Sequence, residues 1–399
     1  MSIRTTSRIG KLVALATVLF CAGMFTGCGN FFQAITSTTT TTTGSGGDMV
    51  YVGKNGSSSI YGYQVSAGGL TQVSGATVSL AAPPTAMVVN ATDTFLYVGT
   101  TSGIYGFSIA STGALTALSS GALLASSIIP VSMDVSADNN WLIVLSSSLA
   151  NGIYIFPLNT TTGIPGTVMQ YLTVPTTGLP RAIKFAPNEN TSTVSVVGAA
   201  FGTYGNCTYT FNSSTGVLAI ASPCNAYVSS GTTASDDSIA FNSAGTEMYV
   251  ARGGSNTVIA TYLLNSNGVA VDDLEYTSGN GPDAITLSKS GSYVYAANLT
   301  DSTISGWSVG TSTSANPVTL TPLTVSAPYS TLASSPGAIA YDNSGSYILA
   351  FNQGSPPDLV QYTIDTVTSP GRLYVSGSVT TGLTNSVTVG SGVVMAVTH

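Results

Sequence analysis

The chain has 399 residues, of which 43% are hydrophobic and 6% charged, and its formal net charge is −7. Soluble globular proteins carry about 25% charged residues, so this composition excludes a disordered, highly charged chain. Only 9 residues are Lys or Arg, which leaves no basic surface for a nucleic acid partner. The 44 glycines favour many turns and short strands.

Residues 1–27 have the pattern of a bacterial lipoprotein signal peptide. Basic residues precede an apolar segment, residues 12–24, which is shorter than the roughly 20 residues that span a bilayer. The tetrapeptide Phe25-Thr26-Gly27-Cys28 then resembles a lipobox, in which the signal is cleaved before a lipidated cysteine, with Phe25 where leucine is usual. The alternative is an ordinary signal peptide that is cleaved at a nearby site.

We expect lipidated Cys28 to anchor the protein to a membrane, because a pair of acyl chains gives stable attachment. Gly29 follows it, not aspartate, and by resemblance to sorted lipoproteins this favours the outer membrane or the periplasmic face of the cell envelope. Residues 28–47 contain a threonine run closed by Gly and Ser, which predicts a flexible tether. The folded body then occupies residues 48–399.

Two cysteines belong to this body, Cys207 and Cys224, since Cys21 falls in the signal peptide and Cys28 is the expected anchor. They flank a strand–turn–strand segment centred near Ser214, which would bring them close but about three residues out of register. Because an exported protein reaches an oxidising compartment, we predict a disulfide between them. The alternative is a pair of free buried thiols.

Six segments of the body share one pattern, which predicts a repeat protein. Each begins Pro-x-x-apolar-x-apolar, or has Asp in place of the proline, and continues through a polar turn into a strand such as FLYVGT, EMYVAR or YVYAAN. A further alternating strand follows, such as GIYGFSI or TISGWSV, and a more variable fourth strand completes the unit. Alternation with a period of two residues between regularly spaced turns indicates β-structure throughout.

The two ends of the body complete one more unit. Residues 49–73 supply second, third and fourth strands without a first, and residues 392–399 supply a first strand with nothing after it. Seven units of about 50 residues with four strands each predict an all-β fold, a seven-bladed β-propeller. Pairing the N- and C-terminal strands in the last blade would remove the open edges that otherwise aggregate.

The strands FLYVGT, EMYVAR and YVYAAN resemble YVTN-type repeats. With the seven-unit count and the terminal first strand, residues 49–399 are similar to the lactonase family of seven-bladed propellers, which includes 6-phosphogluconolactonase-like enzymes. The resemblance implies the architecture more strongly than a chemistry, since propellers host unrelated functions.

Charged residues recur at one repeat position, just after the proline that opens a first strand or after its replacement. Arg181, Asp237 and Asp283 occupy this position in three successive units. Because first strands begin and second strands end at the same face of the disc, polar residues just past second strands should lie beside them. These are Arg252, the asparagines Asn298 and Asn352, and the pair Lys54–Asn55. The sequence therefore predicts a polar pocket at one mouth of the central channel.

In this pocket Arg181 and Arg252 would bind an anionic group through their guanidinium forks, and the two asparagines would add hydrogen bonds. Asp237 and Asp283 would accept hydrogen bonds from hydroxyl groups or act as the catalytic general base. The alternative is that these charges only pair with one another and close the channel mouth without a ligand.

Three further features have simpler interpretations. His399, the single histidine, ends the terminal first strand and should lie at the opposite face of the disc, as a chain-end residue and not a catalyst. The segment Gly306-Trp307-Ser308-Val309-Gly310 matches G-x-S-x-G but lies within a predicted strand with no helix after it, so it lacks a nucleophile elbow. The cluster Asp272-Asp273-x-Glu275 lacks the spacing of a calcium loop and predicts a solvated edge. We predict no metal and no cofactor.

The leading hypothesis for function is a binding or scaffold module at the cell envelope, which holds a small polyhydroxy or anionic ligand or a partner protein. The absence of a histidine from the predicted pocket favours it, since the family resemblance implies His, Arg and carboxylate groups there. The alternative is a lactonase-type hydrolase of a sugar lactone, with Arg181 and Arg252 on the substrate and Asp237 or Asp283 activating water. A purely structural envelope protein is a third hypothesis.

Overall fold

Apolar residues alternate with polar ones between short turns, and the chain folds accordingly into strands. The computed structural model describes residues 48–399 except 148–151, 176–177, 188–193, 222–223, 225–233, 255–256, 312–317, 326, 355 and 386–391. The predicted signal peptide, Cys28 and the tether lie outside the described residues. Within the described part, helix is confined to short 3-10 turns, of which η1 (Leu118–Gly121) is described in full. No helix there has the length and apolar character that a bilayer crossing requires.

The strands occupy four successive positions from the central channel outward. The innermost strands are β5 (Pro84–Val89), β10 (Pro130–Val135), β14 (Ala182–Phe185), β18 (Ser235–Phe241), β22 (Pro282–Leu287), β27 (Pro336–Tyr341) and β31 (Val393–Val397). The second strands are β6 (Phe95–Thr100), β11 (Trp141–Ser146), β15 (Val194–Ala200), β19 (Glu247–Gly253), β23 (Tyr293–Asn298), β28 (Tyr347–Asn352) and β1 (Met49–Lys54).

The outer half of the molecule follows the same order. The third strands are β7 (Gly103–Ile109), β12 (Gly152–Pro157), β16 (Asn206–Asn212), β20 (Val258–Leu264), β24 (Thr303–Val309), β29 (Leu359–Ile364) and β2 (Ser59–Ser66). The outermost strands are β8 (Leu115–Ala117), β13 (Gln170–Thr173), β17 (Val217–Ile220), β21 (Ala270–Thr277), β25 (Leu320–Pro322), β30 (Leu373–Val379) and β3 (Gly69–Gln72). Three short strands also pair with third strands; they are β4 (Val78–Ser79), β9 (Ala125–Ser126) and β26 (Tyr329–Ser330).

The sheets are the seven blades of a β-propeller, which confirms the predicted fold. Blades 1 to 6 are β5–β9, β10–β13, β14–β17, β18–β21, β22–β26 and β27–β30, and blade 7 joins β31 to β1–β4. The pairing of β1 with β31 confirms that strands from both ends of the body close the last blade. Each innermost strand contacts its counterparts in both neighbouring blades, so these strands form a closed ring.

The tyrosine of the repeated Tyr-Val strand connects neighbouring blades. In three blades the hydroxyl of this tyrosine, or of Tyr295 at the same position, donates a hydrogen bond to a glycine carbonyl in the turn between the third and outermost strands of the next blade, whereas the Tyr249 hydroxyl of blade 4 donates to Glu247 Oε2 (2.9 Å). These bonds run from Tyr51 to Gly113 (2.9 Å), from Tyr97 to Gly163 (2.8 Å) and from Tyr295 to Gly371 (2.7 Å). We call this contact the interblade latch. It explains structurally why the repeat strand carries a buried aromatic residue with a polar end.

The cysteines of blade 3 behave as predicted. Cys207 lies in β16, Cys224 lies beyond the end of β17, and a disulfide joins them with their Cα atoms 4.2 Å apart. The bond therefore ties the segment that follows the outermost strand back to the body of the blade.

Candidate functional site

A bulge at the start of the innermost strands decides which side chains reach the channel. In blades 4 and 5 the register with the second strand shifts around Asp237 and Asp283, which have no partner opposite them. A bulge takes its extra residue out of the regular alternation of side chains, and both aspartates line the channel cavity. Arg181 precedes β14 at the equivalent place in blade 3, where its backbone N–H donates to Ala200 O (3.0 Å). Arg181, Asp237 and Asp283 therefore occupy equivalent positions in three successive blades, as the repeat predicts.

The charges occupy one side of the channel mouth. Blades 1, 2 and 6 have the same bulge, and there the extra residue is Thr85, Val131 or Gly337, each of which lines the cavity without a charge. The cavity has a volume of about 600 Å³ and is lined by all seven innermost strands. We call Arg181, Asp237 and Asp283 the charged mouth.

Arg181 and Asp237 form an ion pair, with Nε 3.2 Å from Oδ1 and with 27% and 12% of their side chains exposed. The Nε–H is not directed at that oxygen and has no hydrogen-bond acceptor among the described residues. Asp237 Oδ1 also accepts a hydrogen bond from Ser235 Oγ (2.7 Å). By contrast, the Asp283 carboxylate has no hydrogen bond to any residue in the described part of the chain.

Burial raises the pKa values of the Asp283 and Asp237 carboxyl groups. It raises the pKa of Asp283 from 3.8 to about 7, a rise that Asp237 increases and Arg181 counteracts. Burial also raises the pKa of Asp237 to about 6, against the opposing effects of Arg181 and the Ser235 hydrogen bond. A carboxyl group with a pKa near neutrality can both accept and return a proton, which general acid–base catalysis requires.

A glycine makes room for Asp237. A Cβ atom on Gly253, the last residue of β19, would lie 3.0 Å from Asp237 Oδ2 and 3.5 Å from Pro282 O. The absence of a side chain there lets the carboxylate sit between the starts of two innermost strands. Gly253 was not among the predicted site residues, because nothing in the sequence marks which of the many glycines faces a carboxylate.

A second ion pair lies further along the channel. Lys184 Nζ is 3.5 Å from Asp134 Oδ1, and Asp134 Oδ2 accepts a hydrogen bond from the Phe185 backbone N–H (2.8 Å). Both charged residues line the cavity, and Lys184 is three residues beyond Arg181 in sequence, or about 10 Å along an extended strand. This pair is not among the predicted site residues, although both residues interrupt otherwise apolar first strands.

Arg252 does not line the cavity and is only 2% exposed. Its Nε, Nη2 and Nη1 atoms donate to Asp236 Oδ1 (2.6 Å), Tyr262 Oη (2.8 Å) and Glu275 Oε1 (2.5 Å). Asp236 also accepts from Asn206 Nδ2 (2.8 Å) in blade 3. Arg252 therefore belongs to a buried cluster between blades 3 and 4, away from Arg181.

The two predicted asparagines are also fully buried and do not line the cavity. Asn298 Nδ2 donates to Ser305 Oγ (2.8 Å) and Thr303 Oγ1 (3.0 Å), and Asn352 Nδ2 donates to Thr331 O (3.0 Å). The Asn298 contacts tie the end of β23 to the start of β24, and the Asn352 contact ties the end of β28 to the segment that joins blade 5 to blade 6.

His399 lies at the opposite mouth of the channel, as predicted. Its backbone N–H donates to Asp93 Oδ1 (2.8 Å), and its Nδ1 is 3.3 Å from the same oxygen. Asp93 belongs to the turn that follows β5, so this pair is at the end of the innermost strands and the charged mouth is at their start. The family's expected histidine is thus absent from the charged mouth among the described residues.

The other motifs have structural roles. Ser308 of the G-x-S-x-G segment lies within β24, as expected, and its Oγ donates to Thr321 O (3.4 Å). Asp273 and Glu275 of β21 are exposed, as expected for a solvated edge, and Glu275 also forms an ion pair with Arg252. Within the described ranges, no cluster of three or more His, Cys, Asp or Glu residues is arranged to hold a metal ion.

Comparisons with known proteins agree with this architecture. A family model of lactonases with a seven-bladed β-propeller matches residues 57–375. A candidate 6-phosphogluconolactonase from Bacteroides fragilis is 15% identical with a TM-score of 0.66, over 88% of this chain and 98% of that chain. The periplasmic gluconolactonase of Pseudomonas aeruginosa is 16% identical with a TM-score of 0.64, over 85% and 98%. No curated protein sequence matches the chain.

The fold and the cavity define a seven-bladed β-propeller whose central channel carries carboxylates and an arginine at one mouth. The chain belongs to the lactonase family of seven-bladed propellers, because the family model covers most of its length. The two solved structures share the fold at low identity, so the chemistry has to be argued from the channel of this protein.

Proposed function

We propose that this protein is a lactonase-type hydrolase of a sugar lactone, with the charged mouth as its active site. The observation that carries the proposal is the unpartnered carboxylate of Asp283 beside the Arg181–Asp237 ion pair, in a cavity of about 600 Å³. A cavity of this size suits a small ligand. Membership of the lactonase family supports this reaction class over a binding or scaffold role.

In this mechanism Asp283 is the general base. Its carboxylate takes a proton from a water molecule as the water oxygen attacks the lactone carbonyl carbon. The ring C–O bond then breaks, and the protonated Asp283 returns the proton to the ring oxygen, which leaves as a hydroxyl group. The product is an open-chain hydroxy acid, and Asp283 returns to its starting state.

Arg181 stabilises the negative charge that develops on the carbonyl oxygen. Its two terminal nitrogens are not engaged by the ion pair, which involves Nε, so they remain available as donors to an oxyanion. Asp237 is the positioning residue for this guanidinium, and Ser235 in turn orients Asp237. No histidine is needed, because burial brings the pKa of Asp283 to about 7.

We also propose that the enzyme acts outside the cytoplasm, attached to a membrane through lipidated Cys28. The supporting observations are the signal-peptide pattern of residues 1–27 and the disulfide between Cys207 and Cys224, which is typical of an oxidising compartment. Metabolic labelling with a fatty acid, compared between the natural chain and Cys28→Ser, tests the anchor directly.

The activity is tested by pH-stat titration of acid release from five- and six-membered sugar lactones. We expect hydrolysis well above the spontaneous rate, and a loss of about 100-fold or more in Asp283→Asn, the range typical of a removed general base. Asp138→Asn is the matched control, because Asp138 lies in the turn after β10 and does not line the cavity. Equal rates with and without the protein across the panel would refute the proposal.

A further inference from the structure

Each cation that lines the channel is already matched by a carboxylate. Among the described lining residues, the basic side chains with a permanent charge are Arg181 and Lys184, which pair with Asp237 at 3.2 Å and with Asp134 at 3.5 Å. Asp283 adds a carboxylate that has no cation of its own. Carboxylates therefore outnumber these cations along the cavity wall.

The inner pair is held together by the backbone. Asp134 Oδ2 accepts the Phe185 N–H (2.8 Å), which fixes the carboxylate of blade 2 against the strand of blade 3 that carries Lys184. Lys184 consequently keeps a counter-ion while other ligands enter the channel. A dianionic phosphate would have to displace Asp134 from Lys184 or lie beside unpaired carboxylates, and both are unfavourable.

The remaining polar lining suits neutral hydroxyl groups. Ser132, Ser147 and Ser238 line the cavity with hydroxyl groups, and the Ser132 hydroxyl also accepts a hydrogen bond from the Ile183 backbone N–H (3.1 Å). Hydroxyls both donate and accept hydrogen bonds, so they match a polyhydroxy ligand without requiring a charge on it. Between them the wall is aliphatic, with Met87 and Met133 among its residues.

We propose that the channel selects uncharged polyhydroxy lactones and rejects sugar lactones that carry a phosphate or a carboxylate. The ligand class, a lactone, rests on the proposed function, whereas the preference for an uncharged ligand rests on the charges that line the cavity. Asp134 is the residue that sets the preference, because it neutralises Lys184, which would otherwise bind a distal anionic group.

The test uses one ligand pair in two assays with the full chain. Hydrolysis is compared for a six-membered aldonolactone and its 6-phosphate, and calorimetric binding is compared for the corresponding lactam, which is not hydrolysed, and its 6-phosphate. We expect the neutral member of each pair to be preferred by at least about tenfold, the effect of one unfavourable charge contact. Asp134→Asn should reduce the ratio between the neutral and the phosphorylated compound, because the phosphorylated compound should bind and react better. Asp138→Asn should leave this ratio unchanged.

The outcomes separate the two proposals. Equal or better use and binding of the phosphorylated compounds would overturn the charge-selection proposal, as would a failure to bind either lactam. Tight binding of the neutral lactam without hydrolysis of either lactone would support charge selection and refute the proposed hydrolase. An unchanged preference in Asp134→Asn would show that the inner ion pair does not set it.

Discussion

Replacing Asp283 with asparagine should stabilise the protein while it lowers the rate of hydrolysis about 100-fold or more. Burial raises the pKa of Asp283 from 3.8 to about 7, so between these values the folded state holds a proton that the unfolded chain releases. The free energy of unfolding therefore falls as the pH rises through this window. Each pH unit corresponds to about 1.4 kcal/mol, so the ionised carboxylate costs the fold on the order of 4 kcal/mol at pH 8.

The amide side chain in Asp283→Asn would carry no charge, and this cost would disappear. With an unfolding entropy of about 2.1 cal/mol/K per residue, a body of this length should gain roughly 5 °C in Tm at pH 8. Most of the gain should vanish at pH 4.5, where the carboxyl group of the folded wild type is protonated. Differential scanning calorimetry at both pH values measures this, with Asp138→Asn as the control.

The same ionisation predicts the pH dependence of activity. The value of kcat/KM should rise about tenfold per pH unit below pH 7 and level off above it, because only the ionised form is a base. An Asp283→Asn protein that unfolds at a lower temperature than the wild type at pH 8 would refute this reasoning. A lower unfolding temperature would indicate that the ionised Asp283 stabilises the fold, so that the charges at the channel mouth have a structural role.

Three further predictions concern positioning and stability. Arg181→Lys should lower kcat by about 100-fold, since an ammonium group cannot replace two directed guanidinium donors, and steady-state kinetics would expose an unchanged rate. Gly253→Ala places a methyl group 3.0 Å from Asp237 Oδ2 and should lower kcat/KM about tenfold by displacing that carboxylate, whereas Gly68→Ala, with its nearest contact at 3.6 Å, should match the wild type. Tyr97→Phe removes one interblade latch bond and should cost about 1 kcal/mol in urea unfolding; activity should persist, and a loss of activity would contradict a purely structural latch.

Much of the fold follows directly from the residues. Alternation with a period of two residues indicates strands, and the repeated Tyr-Val motif marks second strands, from which the tyrosine can reach the neighbouring blade, as Tyr97 does. The incomplete units at the two ends of the body predict the pairing of β1 with β31. These features are local or repeated, so a single sequence displays them.

Only some of the predicted site residues line the cavity, and the bulges explain why the others do not. A shift of one residue moves a strand side chain to the other face. Asp237 is the bulged residue and faces the channel, whereas its neighbour Asp236 faces Arg252 between the blades. The repeat alignment identifies the position but not this change of direction, so it grouped Arg252 with Arg181 although the structure separates them.

The closure of blade 7 also determines when the cavity comes into existence. Residues 393–397 of β31 supply one wall of the channel, yet they pair with β1 at the other end of the body. A chain that lacks this last strand has a gap in the ring of innermost strands that surrounds the cavity. The cavity is therefore complete only once the last strand has joined the ring, and a chain truncated before β31 would lack the wall that residues 393–397 provide.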